Sequence, residues 1–148
     1  MRGFTLLELL VVLLLMTIVF AATPPLLSGI GLTTELRGAA RQLAAGLRLA
    51  RNEAVTQQQA EALTVDVEQR RFSVAGKTRN LPDDDDVTIK LYTAQSELLD
   101  GTRGNIRFFP DGSSTGGYIA LADAKVEYRV KVDWVTGHIS IETRNAED

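Results

Sequence analysis

The strongest constraint on this chain is an apolar run at its amino end. From Phe4 to Ala22 the sequence reads FTLLELLVVLLLMTIVFAA, with only Thr5, Glu8 and Thr17 interrupting it and no basic residue inside it. If helical, these residues rise roughly 28 Å, nearly the ~30 Å hydrocarbon core of a bilayer. Arg2 ahead of the run and the small residues Ala21 and Ala22 at its end also fit an ordinary secretory signal. Glu8 weakens that alternative, because a carboxylate in such a segment costs about 3 kcal/mol unless it stays near the interface or finds a cation. Headgroup depth and a specific pairing role both remain open from spacing alone.

Read as an average, 148 residues with 45% hydrophobic content describe one ordinary globule. The apolar excess sits mostly in the first 27 residues, however, and the rest is polar and strand-prone. The length, the single apolar run and the absence of cysteine disfavour a multidomain enzyme, a polytopic transporter and a disulfide-stapled miniprotein. Charge is uneven too. Residues 1–60 carry five Arg against three Glu (net +2), whereas residues 61–148 carry eleven Lys/Arg against sixteen Asp/Glu (net −5). That balance argues against a dedicated nucleic-acid binder, whose footprint is a basic domain or stripe.

Pro24-Pro25 and the Ser28 to Gly31 stretch mark a bend or break after the run. Beyond them Leu32, Leu36, Ala39 or Ala40, Leu43, Leu47, Ala50 and Ala54 recur at spacings of three or four, with Arg37, Arg41, Arg48, Arg51 and Asn52 mostly between them. This pattern predicts an amphipathic helix from about Thr33 to Gln58, its apolar stripe laid on the sheet that follows. Its arginines read as a solvated face, with acidic phospholipid or DNA as the alternative partners.

After Gln59 the period changes to two. Leu63, Val65 and Val67, then Phe72 and Val74 across a Glu68 to Arg71 turn, predict a hairpin. Val87 to Leu91, Ile106 to Phe109 and Tyr118 to Leu121 predict further strands. Val126 to Trp134, a Thr136-Gly137 turn and His138 to Thr143 predict a last hairpin. Two loops, the acidic Pro82 to Asp86 and the glycine-rich Pro110 to Gly117, are expected to be exposed. Four consecutive aspartates lack the alternating ligands and distal glutamate of a calcium loop. The glycine-rich loop lacks a following Lys-Ser or Lys-Thr and opens no helix, so it reads as a flexible turn or contact loop rather than a phosphate cradle. His138, the only histidine, has no cysteine or serine elbow to work with and reads as a surface or hairpin-packing residue. Trp134, Tyr128 and Phe108-Phe109 read as core aromatics.

At Gly3-Phe4-Thr5-Leu6-Leu7-Glu8 the chain resembles the class III signal of type IV pilin-like proteins: a short basic leader ending in glycine, then phenylalanine, then glutamate four residues on. Three further stretches, Ala40 to Val55, Phe108 to Gly117 and Val132 to Ile139, resemble the GspH/FimT-like minor pseudopilins of type II secretion systems. The leader is short for the family, three residues with one base.

The resemblance implies an α+β, pilin-like fold in which a long N-terminal helix packs against a C-terminal antiparallel β-sheet domain. It divides the chain into a leader (1–3), a hydrophobic transmembrane and assembly helix (4–27), an amphipathic periplasmic helix (28–60) and a β-rich periplasmic domain (61–148). It implies cleavage by a prepilin peptidase between Gly3 and Phe4, N-methylation of Phe4, and pairing of Glu8 with a neighbouring subunit's terminal ammonium. It also implies a non-enzymatic role, without cofactor, metal or catalytic residue: a minor pseudopilin at or near the tip of a type II secretion pseudopilus, supporting export of folded proteins. The implied location is the bacterial inner membrane, single-pass, with the C-terminal domain in the periplasm. The implied partners are other major and minor pseudopilins, the inner-membrane assembly platform, inner-membrane lipid and secreted cargo, with no nucleic acid. The alternative within the same superfamily is a minor pilin of a type IV pilus that contacts DNA.

Overall fold

The continuous run of leucine, valine and isoleucine supplies no polar face, and the helix it forms has none. In this computed structural model, which describes residues 3–22 and 24–145, α1 spans Leu6–Ala22 and α2 spans Pro24–Gln57. The join between them, at residue 23, and the first two leader residues lie outside the described residues. α1 leaves its large apolar side chains open on every side, from Val11 at 46% exposed to Leu6 at 78%. Its 17 residues rise about 26 Å. Among the described residues no helix is at once long and apolar enough to cross a membrane.

α2 begins at Pro24, earlier than the expected Thr33. Proline is tolerated in a first helical turn, where its missing N–H has no intrahelical acceptor to lose. Residues Met1–Thr34 and Glu35–Asp148 form two compact units. Within the second, α2 buries Leu36, Ala39, Ala40, Leu43, Ala44, Leu47, Ala50 and Ala54, the stripe read from the sequence. Arg37, Arg41 and Arg48 point to solvent. The helix ends where Gln58 adopts a φ of 54°, a left-handed terminus.

Eight strands follow: β1 Glu61–Asp66, β2 Arg71–Val74, β3 Lys77–Asn80, β4 Thr88–Thr93, β5 Arg103–Phe108, β6 Gly117–Ala122, β7 Val126–Val132 and β8 Ile139–Asn145. They form two four-stranded antiparallel sheets, β3-β2-β1-β5 and β4-β6-β7-β8. The sheets meet where β5 runs beside β4, joined by the Thr93 hydroxyl donating to the Asn105 carbonyl at 2.5 Å. α2 lies on the first sheet: a Cβ added at Gly46 would stand 2.9 Å from Leu63 Cδ1 and 3.0 Å from Phe72 Cε2. Glycine there lets helix and sheet approach closely. Leu63, Val65, Phe72, Ile106 and Phe108 close the core beneath the helix.

Two expectations change here. β3 is an additional strand, all four of its residues exposed; Lys77 and Arg79 charge this sheet edge, which discourages pairing with other chains. Trp134 is not core: it is 68% exposed, because β7 stops at Val132 and Trp134 lies on the turn beyond it. Tyr128 and Phe108 are buried, and Phe109 is half-buried.

Candidate functional site

The amino-terminal motif is open and locally capped. Gly3 to Thr5 precede the helix, Phe4 is 87% exposed, and a Cβ at Gly3 would meet nothing within 4 Å. Thr5 is the N-cap of α1: its hydroxyl accepts the Glu8 backbone N–H at 3.2 Å, and its carbonyl accepts the Leu9 N–H at 3.2 Å. Thr-Leu-Leu-Glu thus has the spacing of a capping box, and places the Glu8 carboxylate in the first turn, where the helix dipole favours negative charge. The Glu8 side chain itself is exposed. Gly3, Phe4 and Glu8 therefore lie together at one helix end, with Phe4 and Glu8 exposed.

In the second unit, the three internal stretches singled out in the sequence converge. Arg51, near the end of α2, donates from Nε to the Gly112 carbonyl at 3.2 Å and from Nη2 to the Thr136 carbonyl at 3.3 Å. One planar guanidinium thereby ties the helix to both the glycine-rich loop and the β7–β8 turn. Gly137 completes the junction. Its φ is +64°, and a Cβ there would collide with the Gly112 carbonyl oxygen and stand 2.9 Å from Arg51 Nε.

The glycine-rich loop is consequently tied down rather than freely exposed. Gly112, Ser114 and Gly116 are buried. The Ser114 hydroxyl donates to the Arg107 carbonyl at 2.7 Å, the Ser114 N–H donates to the Trp134 carbonyl at 2.9 Å, and the Thr115 N–H donates to the Arg107 carbonyl at 2.9 Å. Short polar side chains fix both bends. Asp111 accepts from the Ser113 hydroxyl at 2.6 Å and its N–H at 3.0 Å, and these bonds hold its carboxyl below the usual carboxylate range. Asp133 accepts from the Thr136 N–H at 2.8 Å, the Thr136 hydroxyl at 3.0 Å and the Val135 N–H at 3.0 Å. The Thr136 N–H leads in lowering the Asp133 carboxyl as well. His138 stays on the surface, its N–H donating to the Thr136 hydroxyl at 3.2 Å.

Arg51 thus departs from the solvated face expected of it. Periodicity cannot see this, since the side chain leaves the polar face of α2 to reach loops about 60 and 85 residues away. The acidic loop is exposed as expected at Asp83 to Asp86, while Pro82 is buried. Arg70 holds it, donating from Nη1 to the Pro82 carbonyl at 2.9 Å and from Nη2 to the Val87 carbonyl at 3.1 Å.

Comparison with known proteins falls on the same features. The family described as Type II transport protein GspH matches residues 39–137, from the buried stripe of α2 to the glycine that closes the Arg51 junction. The chain belongs to the GspH family. The prokaryotic N-terminal methylation motif matches residues 1–23. A relative from Xanthomonas campestris pv. campestris, type II secretion system protein H, is 32% identical over 140 residues, covering 94% of this chain and 82% of its own. Two solved structures share the fold. The type IV minor pilin FimU of Pseudomonas aeruginosa superposes with a TM-score of 0.57 at 19% identity, over 74% of this chain and 90% of its own. The minor pseudopilin EpsH from the type 2 secretion system of Vibrio cholerae superposes with a TM-score of 0.52 at 17% identity, over 73% and 96%. The α+β pilin-like fold follows, and the family is one of structural subunits rather than enzymes.

Proposed function

We propose that this GspH-family chain works as a minor pseudopilin at or near the tip of a type II secretion pseudopilus, where it supports export of folded proteins across the outer membrane. The observation that carries the reading is α1: a helix apolar on all faces, bearing one carboxylate in its first turn, joined to a family domain tied firmly around Arg51. A helix of that kind needs lipid or other apolar helices as its solvent. Its ~26 Å rise falls a few ångströms short of an average hydrocarbon core, a mismatch that local bilayer thinning and flanking residues absorb at modest cost.

In this reading the prepilin peptidase cuts between Gly3 and Phe4, the exposed stretch before Thr5, and Phe4 becomes N-methylated. Glu8, four residues further on, pairs with a neighbouring subunit's terminal ammonium and aligns the helices as they leave the bilayer. A carboxylate entering a low-dielectric bundle requires such a cation. The chain sits in the bacterial inner membrane with residues 61–148 in the periplasm, and its partners are other major and minor pseudopilins, the assembly platform and secreted cargo. In a strain lacking the gene, the wild-type chain restores secretion while Glu8→Ala, still cleaved, does not; secretion by that variant equal to wild type counts against the pairing role.

A second reading, a minor pilin of a type IV pilus, draws on the likeness to FimU. The 32% identity to a secretion-system protein weighs the other way. Complementation of secretion set against complementation of pilus function separates the two.

A further inference from the structure

We propose that the free edge of β8 takes up an extended strand from a different pseudopilin, which adds itself to the β4-β6-β7-β8 sheet. Of the edges of the two sheets, β4 and β5 lie beside one another, which leaves β3 and β8 open. Open edges invite pairing with other chains, and proteins blunt them with short strands, prolines, bulges and inward-pointing charges.

β3 is blunted in this way and β8 is not. β3 has four residues, and its register sets Lys77 opposite the buried Val74 and Arg79 opposite the buried Phe72, so both cations are on the core-facing side. β8 has seven residues, Ile139–Asn145, without proline or lysine, in unbroken register with β7. Its core-facing side chains Ile139, Ile141 and Thr143 stand opposite the buried Val132, Val130 and Tyr128. Val130 is 0% exposed, while Ile141 beside it is 38% exposed. The apolar layer under this sheet therefore runs out to its last strand and ends open.

The backbone shows which groups are on offer. The Asp133 N–H donates to the His138 carbonyl at 2.9 Å. Antiparallel ladders alternate, so Ser140, Glu142 and Arg144 bond to β7, and the N–H and C=O groups of Ile141, Thr143 and Asn145 point away from it. Among the described residues β8 pairs with β7 alone. These groups select an occupant whose own main-chain donors and acceptors are free, an extended segment not yet in a sheet. Apolar or β-branched residues beside Ile141 and Thr143 complete the layer. On the outer face Arg129 stands opposite Glu142 and Glu127 opposite Arg144, a balanced checkerboard that a base beside Glu142 and an acid beside Arg144 continue. Exported cargo is folded, with its strands already paired, and a minor subunit has other pseudopilins for neighbours; in naming them as the donor the inference rests on the function proposed above.

Hydrogen exchange resolved to single residues tests it, on the full chain in detergent, alone and co-purified with the other pseudopilins of its system. The amides of Ile141, Thr143 and Asn145 exchange fast in the chain alone and about tenfold slower in the complex, while those of Thr78 and Asn80 on the β3 edge are unchanged. Thr143→Pro deletes one outward N–H and spares the β7 ladder. It melts near wild type, yet in the complex exchange at Ile141 stays fast, and secretion falls. Ile141→Lys gives β8 the inward charge that β3 carries and keeps Thr143 exchanging fast, whereas Thr143→Val behaves as wild type. No slowing on β8, equal slowing on β3, or slowing in the chain alone as its concentration rises, which assigns the edge to a second copy, each overturns the proposal. So does undiminished slowing in both Thr143→Pro and Ile141→Lys. Secretion in a strain lacking the gene separates the two readings: a wild-type chain that fails to restore it while β8 still slows removes the function proposed above, and secretion restored without slowing on β8 removes this contact alone.

Discussion

Arg51→Ala separates a tied junction from loops that merely lie near one another. The substitution removes two hydrogen bonds from a charged donor, a class worth about 1.5–3 kcal/mol each when shielded and much less when exposed. The bond to Gly112 ends on a buried residue and is part-buried itself; the bond to Thr136 is exposed and, at 3.3 Å, long. Taking about 1.5 kcal/mol for the first and about 0.5 for the second gives a loss of roughly 2 kcal/mol. For a unit the size of residues 35–148 this lowers the melting midpoint by about 8 °C. Arg51→Lys keeps the charge but not the fork that reaches two carbonyls, and falls between. Gly137→Ala attacks the junction from the other side, through its φ of +64° and the collision with the Gly112 carbonyl. Because both changes act on one contact, the double variant loses less than the sum of the two. Thermal unfolding of the full chain in detergent, followed by circular dichroism, measures all four. An Arg51→Ala midpoint within about 2 °C of wild type, or strict additivity with Gly137→Ala, would refute the tie.

Leu47→Ala opens a cavity beneath α2, where Leu47 is fully buried, and costs roughly 3 kcal/mol in denaturant unfolding; a cost below about 1 kcal/mol means the stripe is not the core. Asp133, with its folded-state carboxyl lowered, contributes stability that is present above about pH 4, its unfolded range, and is lost as pH falls through the folded value. Asp133→Asn therefore lowers the midpoint near neutral pH and flattens the acid limb of the stability curve; an unchanged acid limb contradicts the role given to its bonds. Thr5→Ala removes the helix cap, at about 1 kcal/mol of local helix stability, and leaves the Glu8 charge in place. Incorporation into filaments therefore survives Thr5→Ala and fails with Glu8→Ala; equal failure of both assigns Glu8 to capping alone.

Periodicity carried the elements that bury one face. The α2 stripe and the alternation in β1, β2, β4, β6 and β7 sit in the structure where the sequence places them, because the apolar spacing and the burial have the same physical cause. β3 has no apolar alternation to read, since all of it faces water. Trp134 misled because it continues the alternation of β7 by one step, while the bonds to the Asp133 carboxylate had already turned the chain. The glycine-rich loop showed its composition but not its partners. Its order comes from Arg51, Arg107 and the β7–β8 turn, contacts between residues far apart in the chain that no local pattern encodes. The clue available was coincidence: the three stretches that resembled the family are the three that meet at this junction.

Whether α1 begins life as a class III signal is the point on which the filament role stands. Intact mass spectrometry of the full chain, purified from membranes of a host with an active prepilin peptidase, reads it in one measurement. The expected species lacks Met1 to Gly3 and carries one added methyl group on Phe4. A chain that keeps Met1 in that host, or one cut after Ala22, contradicts it.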